Sequence, residues 1–402
     1  MAKPRILFLA PRLPVPADTG GKIRTSNILK QLAKDSEIHL VCFSFERNDE
    51  DEAQALRKAG ITVTLVAARI FTFSEKIIHA FFGSMPFSIV KYNSLNMRNA
   101  LVKVSRSQEF SAVHIDHLHM ALYGDCFGNT PCFIDEHNVE YKILERCAAI
   151  EPSRIRRALF LSQAKKMKAF EVEYTRKAAA CFTVSEDDKH VLENAAERQI
   201  PVHVIPNGVD TGYFSPQNLQ EEEESLVFTG SLDWLPNEDA VLYFCKEILP
   251  LIRKEKPELK FYIIGKAPTE TLRRLAKNDS RITVTGRVDD VRPYMAKSKI
   301  FVVPLRIGGG TRLKILEAMA MGKAVVSTSL GAEGIAYAKD KNIILADTPD
   351  AFAEKVISLL REEKRRKEIG VAARNLVLGQ YDWNTIGEKL NTVYSESAYV
   401  QR

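Results

Sequence analysis

Short apolar runs alternate along this chain with longer stretches whose apolar residues recur at helical spacing, a rhythm that predicts parallel sheets crossed by helices. RILFLA at Arg5–Ala10 is the first run, apolar on both faces as a buried strand requires. Glu37–Ser44, Ile61–Ala67, Ala180–Val184, Leu226–Thr229, Lys260–Gly265 and Ile282–Gly286 repeat the signal. After the first strand, PRLPVPADTGGK reads as a loop, and Gly20 and Gly21 open a helix running to about Ala33. A strand that feeds a glycine loop at a helix N-terminus is a doubly wound arrangement, in which ligands bind at the carboxyl ends of the strands. The loop is not G-x-G-x-x-G, so it carries no dinucleotide fingerprint.

Length then divides the picture. At 402 residues and 45% hydrophobic content the chain can fill two ordinary cores. HVIPNGVDTGYFSP combines a strand, an Asn-Gly turn and two prolines, and an acidic run at Glu221–Glu224 follows it. The expected division is residues 1–205, a linker at 206–224, a second domain at 225–380, and a terminal helix at 381–402. Net charge is +6, from 57 Lys and Arg against 51 Asp and Glu, too mild to mark a nucleic-acid binder. Six cysteines show no metal-like spacing, which fits reduced thiols and a cytoplasmic protein. The apolar run at the start is too short for a signal peptide, and no run of eighteen apolar residues predicts a membrane span.

The densest chemical signal lies in FVVPLRIGGGTRLKILEAMAMGKAVVS, Phe301–Ser327, which reads as strand, glycine loop, helix and strand. Helix-forming residues fill Thr311–Met321, and Gly322 is a suitable stop. A helix N-terminus favours acidic residues by about 0.3–1 kcal/mol each. Here Arg306, Arg312 and Lys314 crowd that end, beside Gly308, Gly309 and Gly310. Such an arrangement predicts a bound anion, and we read it as a phosphate cradle that includes Thr311. The alternative is a loop with solvated basic residues. Glu317 falls roughly 9 Å along the helix, in reach of the hydroxyls of a ribose whose diphosphate sits at the loop. Its alternative is a surface acid paired with Lys314.

Two strand ends in the first half deliver polar residues. SAVHIDHLHM offers His114, Asp116, His117 and His119, and PCFIDEHNVEY offers Asp135, Glu136, His137, Asn138 and Glu140. Strand alternation would send His114 and Asp116 to one face and His117 to the other, so no metal site is expected. His137, next to two acids, could equally be an imidazole held by Asp135. ARIFTFSEKIIHAFFGSMPFSIVKY mixes Phe71, Phe73, Phe81, Phe82 and Phe87 with Arg69, Lys76, His79 and Lys91. That mixture suits an anionic membrane boundary or a core, and the pattern alone leaves both open. The predicted helix Arg154–Lys177 adds Arg154, Arg156, Arg157, Lys165, Lys166 and Lys168. Two basic stretches in one half favour a peripheral, membrane-facing first domain on the inner face of the cell membrane.

LRIGGGTRLKILEAMAMGKAVVSTSLGAEGI resembles the donor-site signature of family 4 retaining glycosyltransferases of the GT-B type. The resemblance implies an α/β protein of two doubly wound Rossmann-like domains facing a central cleft, the first binding an acceptor and the second a nucleotide-sugar. Glu317 matches the second of the family's two glutamates, while Gly309 stands where the first belongs. After the strand at Leu226–Thr229, the glycine Gly230 is followed in many relatives by an Arg and then a Lys that grip the diphosphate. This chain has Ser231 and Asn237 there. Arg312 and Lys314 are expected to supply that charge from across the cleft. The resemblance also brings Gly20, Gly21 and Arg24 to the donor phosphates and acceptor. It sets Asp116 facing the acceptor, His137 facing the transferred sugar, and the backbone near Arg287 and Val288 against the base.

The implied reaction is sugar transfer with retention and without a metal or resident cofactor, the nucleotide-sugar being a substrate. PRLPVPADTGGKIR and DEHNVEY also look like bacterial exopolysaccharide-associated transferases, so a lipid-linked or other glycan acceptor is expected. A nucleotide-sugar epimerase of related fold, and a non-catalytic sugar-nucleotide binder, are the rival readings. Incubation with nucleotide-sugars and acceptors separates them as transfer, epimerisation or binding alone.

Overall fold

The computed structural model describes residues 3–68, 83, 85–196, 200–307 and 311–399. They form two compact units, Met1–Pro206 with Gly387–Arg402, and Asn207–Ile386. Gly308, Gly309 and Gly310 lie outside the described residues, as do Arg69, Phe71, Phe73, Lys76, His79, Phe81 and Phe82.

The first unit holds a seven-stranded sheet. Its strands are β1 (Arg5–Ala10), β2 (Glu37–Ser44), β3 (Thr62–Ala67), β4 (Ala112–Asp116), β5 (Cys132–Asp135), β6 (Ala180–Thr183) and β7 (Val202–Val204). The order is β3-β2-β1-β4-β5-β6-β7, and every recorded pairing is parallel. Helices cover both faces of such a sheet, which is why Ile6 to Ala10 are all buried despite the two-residue period of a strand. The order in which successive strands are added reverses between β1 and β4, while the strands stay parallel. At that point the loops leaving the two strands part and leave a crevice at their carboxyl ends.

The second unit repeats the plan with six strands, β8 (Ser225–Thr229), β9 (Lys260–Ile264), β10 (Ile282–Val284), β11 (Ile300–Val303), β12 (Ala324–Ser327) and β13 (Ile344–Leu345). Their order is β10-β9-β8-β11-β12-β13, again parallel, with the reversal between β8 and β11. Leu226, Val227 and Phe228 on β8, and Phe301 and Val302 on β11, are fully buried at the centre of this unit's core. Among the described residues, no helix is long and apolar enough to cross a membrane.

Two boundaries differ from the expectation. Residues 207–224, expected as a linker, count with the second unit, and charge pairing accounts for it. Glu221 accepts from Lys323 at 2.6 Å and from Arg366 at 3.3 Å, both cations being nearly inaccessible to solvent. Glu222 accepts from Tyr262 and Lys260, and Glu224 from Lys256. The acidic run is therefore a fastening and not a solvated spacer. Glu221→Ala leaves two buried cations facing each other and is expected to destabilise the second unit by about 2 kcal/mol, read as a fall in its thermal transition. An unchanged melt would show that the pairs contribute nothing.

The second difference is the helix expected over Thr311–Met321, which spans Leu313–Ala320 with Arg312 as its extended N-cap. The final helix, Trp383–Tyr399, begins in the second unit, and from Gly387 onward it belongs to the first. There Tyr394 stacks on Phe133 at 4.2 Å, and its hydroxyl pairs with His114 Nδ1 at 2.7 Å.

Candidate functional site

Each unit gathers candidate residues at its own point of strand reversal. In the second, β8 ends at Thr229 and delivers Gly230, and Gly265 follows β9. A side chain at Gly265 would fall on the Gly230 carbonyl oxygen, so only glycine fits there. A Cβ on Gly230 would come within 2.8 Å of both Asn237 Nδ2 and Lys314 Nζ. Asn237 bridges the two loops: its amide nitrogen donates to the Ser231 carbonyl at 2.8 Å, and its oxygen accepts from Lys314 Nζ at 2.8 Å. The ammonium also lies 3.9 Å from the centre of the Phe228 ring.

Lys314 thus approaches the position that the resemblance assigns to a lysine at 237. Both residues belong to one unit, so the charge comes from the neighbouring loop of the same sheet rather than from across a cleft. Burial, helped by the nearby Arg312 guanidinium, lowers Lys314 to about 7. Burial raises Glu317 to about 7 as well, opposed by Lys314. Glu317 makes no side-chain hydrogen bond or ion pair among the described residues, so its oxygens are available as acceptors. Arg312 Nε and Nη2 are buried beside this group. Thr311 Oγ1 donates to the Gly334 carbonyl at 3.4 Å.

Arg306 departs from the expected crowding at the helix start. It pairs with Asp239 at 2.6 Å and stacks 4.2 Å over Tyr243, so its charge is already neutralised. Arg287 is exposed and Val288 half-buried after β10, at the same carboxyl edge of the sheet.

In the first unit, the helix Gly20–Asp35 starts with no acidic residue in its first turn, beside the loops leaving β1 and β4. Gly21 faces both imidazoles: an added Cβ would meet His117 Nε2 at 3.7 Å and His137 Nδ1 at 3.8 Å, ordinary contact distances. His137 Nε2 lies 2.9 Å from Asp116 Oδ1, and burial lowers the imidazole to about 4. The ring is therefore neutral, with Nε2–H donating to the Asp116 carboxylate and the Nδ1 lone pair left as an acceptor. Asp116 also accepts from Thr25 Oγ1 at 2.9 Å. Its buried carboxyl orients His137 and also lines the pocket beside Gly21.

Arg24 does not face a ligand, contrary to the expectation. It is 1% exposed, forks onto Asp135 at 2.9 and 2.5 Å, and donates to the Pro206 carbonyl at 3.1 Å. A guanidinium so enclosed holds Asp135 and offers no surface to a ligand. Burial alone would raise Asp135, but the Arg24 charge wins and brings it to about 2.

The alternation argument against a shared metal site also fails. His117 follows the end of β4 with φ of 66°, outside the strand geometry that alternation assumes. Its ring stacks on His137 at 3.6 Å. Asp116, His117 and His137, and separately His117, His119 and Glu140, bring potential ligand atoms within 4.8 Å of one another.

The sequence offered no signal for Thr25 or Glu171. Glu171, on the helix Arg154–Lys177, accepts from the amides of Glu140 at 2.8 Å and Tyr141 at 3.2 Å, fastening the loop that carries His137. Burial and the Glu171 charge push Glu136 well above the carboxylate range, and burial raises Glu171 to about 7.

Two parallel-sheet Rossmann-like units, each with polar residues gathered at its point of strand reversal, define the GT-B class of fold. Residues 20–213 match the family described as Glycosyltransferase Family 4, and residues 223–362 the one described as Glycosyl transferases group 1. The chain belongs to glycosyltransferase family 4. It is 27% identical over 207 residues to the phosphatidyl-myo-inositol mannosyltransferase of Mycobacterium tuberculosis, covering 48% of this chain and 54% of that one. It is 26% identical over 165 residues to an uncharacterized 44.6 kDa protein in the cps region of Klebsiella pneumoniae, covering 39% and 42%. The chain spans about half the length of the curated relatives it matches. Anabaena HepE, solved in complex with UDP, superposes with a TM-score of 0.71 at 13% identity, over 98% of this chain and 100% of that one. At that identity the likeness concerns the fold.

Proposed function

We propose that the protein transfers a sugar from a nucleoside-diphosphate donor to a glycan acceptor, the second unit holding the donor and the first the acceptor. The observation that carries this reading is the Lys314 ammonium set between Asn237, Gly230 and Phe228 at the β8/β11 reversal. A bound diphosphate would meet that cation at a helix N-terminus, with Glu317 free to accept from ribose hydroxyls.

In the transfer, the bond from sugar C1 to the diphosphate oxygen breaks as the acceptor oxygen bonds to C1. The acceptor's proton passes to the leaving diphosphate, on the same face, with retention. Charge builds on the leaving oxygens, and Lys314, Arg312 and the amides at the helix start are positioned to receive it without reorganising. The donor half then needs no metal. The family relationship supports His137 as the imidazole facing the sugar, and its free Nδ1 suits a hydroxyl donor. The likeness to a cps-region protein supports a polysaccharide precursor as product.

A thermal-shift panel of nucleotide-sugars, followed by incubation of the hits with lipid-linked glycans, tests the reading. Glycosidic product is expected; epimerised donor, or a melting shift with no turnover, would replace it with one of the rival activities. Donor binding is also expected to weaken at alkaline pH. Below pH 7, Lys314 is already charged and Glu317 already neutral. Above it, a dianion must draw a proton onto Lys314 and faces an ionised Glu317. Calorimetric affinity for the nucleotide-sugar, whose diphosphate is a dianion throughout this range, should therefore fall between pH 7 and 9, by up to about tenfold per unit. A flat profile would contradict the placement of phosphate at Lys314.

The first unit is proposed to rest on the inner face of the cell membrane. On the helix Arg154–Lys177, Ile155 is 77% and Leu161 51% exposed among Arg154, Arg156, Arg157, Lys165 and Lys168, all exposed. Apolar side chains ringed by cations suit an anionic bilayer surface. Each basic residue near such a surface contributes about 1 kcal/mol, so Arg154→Glu with Arg156→Glu should abolish most flotation with phosphatidylglycerol vesicles. Equal flotation of wild type and variant would remove the membrane assignment.

A further inference from the structure

We propose that His117, His119 and Glu140 form a site for a divalent transition-metal ion of the zinc class, in the first unit and independent of the donor reading. The three side chains line one pocket of about 220 Å³ together with Asp116, Arg12 and Lys22. Their ligand atoms lie within 4.8 Å of one another, and all three residues are partly buried. Among the described residues, His119 and Glu140 make no side-chain hydrogen bond or ion pair. The ion-pair neighbour recorded for His117 is Asp116, at 4.0 Å. Three groups with lone pairs to give thus converge on one opening with little else holding them.

The donor set suits the ion. Two imidazoles and a carboxylate make a zinc set that keeps a fourth position open. With zinc bonds near 2.0–2.1 Å, tetrahedral ligands stand about 3.4 Å apart, so small side-chain rotations close the present spread. Two of the three residues are already fixed by their backbones. The His117 amide donates to the Asp135 carbonyl at 3.0 Å, and its ring stacks on His137; the Glu140 amide is held by Glu171. His119 rides on the 3-10 segment Leu118–Phe127, with its ring 5.5 Å from that of Tyr92. Ligands on supported backbone are the condition for a defined site. Arg12 and Lys22 in the same pocket favour water or an anionic oxygen in the open position.

The test is titration of the chelator-stripped full chain with Zn²⁺ by calorimetry, and with Co²⁺ by absorption. One equivalent of Zn²⁺ is expected, with affinity falling at least about tenfold in His119→Ala and in Glu140→Gln. Cobalt should give d–d bands without thiolate charge transfer, since the proposed ligands are two imidazoles and a carboxylate; a thiolate band would instead report capture by the six free cysteines. Should His119→Ala misfold by circular dichroism, His119→Asn replaces it. Absence of saturable uptake, uptake indifferent to both substitutions, or a thiolate band would each overturn the proposal. The readout is metal uptake, so its failure leaves the donor-site reading intact.

Discussion

Lys314→Met is expected to lower kcat/KM by about 10²–10³-fold while leaving the fold intact. Removing one preorganised donor from the charge that develops in a transition state costs about that much. Methionine keeps the unbranched stem against Phe228, so packing changes little, and a half-buried ammonium that burial already disfavours is lost. Steady-state kinetics with the donor found in the thermal-shift panel reads the effect. A fall in kcat larger than the rise in KM is expected, because the interaction strengthens as the leaving diphosphate gains charge. The relocated cation also predicts a rescue. Asn237→Lys in the Lys314→Met background returns an ammonium to the Gly230 loop and should recover part of the activity. Turnover unchanged in Lys314→Met, or no recovery in a well-folded double variant, would show that the cation has no part in transfer.

Arg24→Met should be the most destabilising single change in the first unit. It strips Asp135 of its bidentate partner and leaves a carboxylate that is fully buried. Breaking such a pair costs about 3–5 kcal/mol. Lysine cannot reproduce the fork onto both oxygens and should recover only part of the loss. The pH dependence has a defined sign. In the native protein Asp135 is held at about 2, below its ordinary value, so its contribution is present above the unfolded pKa and lost as pH falls toward 2. In the variant the carboxyl shifts upward and can protonate, so the gap between the two proteins narrows in acid. Thermal melts at pH 7 and pH 4 check this. A gap that is small at pH 7, or that widens at pH 4, would mean the pair is not what holds β5 to the helix Gly20–Asp35.

Much of the proposed donor side was legible because it is local. RIGGGTRLKILEAMAMGK places loop, helix start and Glu317 within one short stretch, and the cations without acids at that helix N-terminus are what suggested an anion. Arg306 belongs to the same stretch yet pairs with Asp239, 67 positions away, a contact that no local pattern encodes. Arg24 misled for the opposite reason. Its place beside Gly20 and Gly21 suggested a ligand-facing cation, but the helix turns it inward onto Asp135, 111 residues along the chain. His117 escaped the alternation argument because one residue of positive φ at the strand end redirects the side chain.

By itself the sequence determined two parallel α/β sheets, most of their strands though not Ile344–Leu345, and the glycine-rich loops at the strand ends. Those features depend on residue spacing and on backbone freedom, both of which act over a few positions. Only tertiary structure decided which charges remain available. Long-range pairing consumed Arg306, Arg24 and the acidic run at Glu221, and set Lys314 against Asn237, 77 residues apart. Electrostatic partners are chosen by distance in space, and the order of strands in a sheet sets that distance independently of the order of residues in the chain.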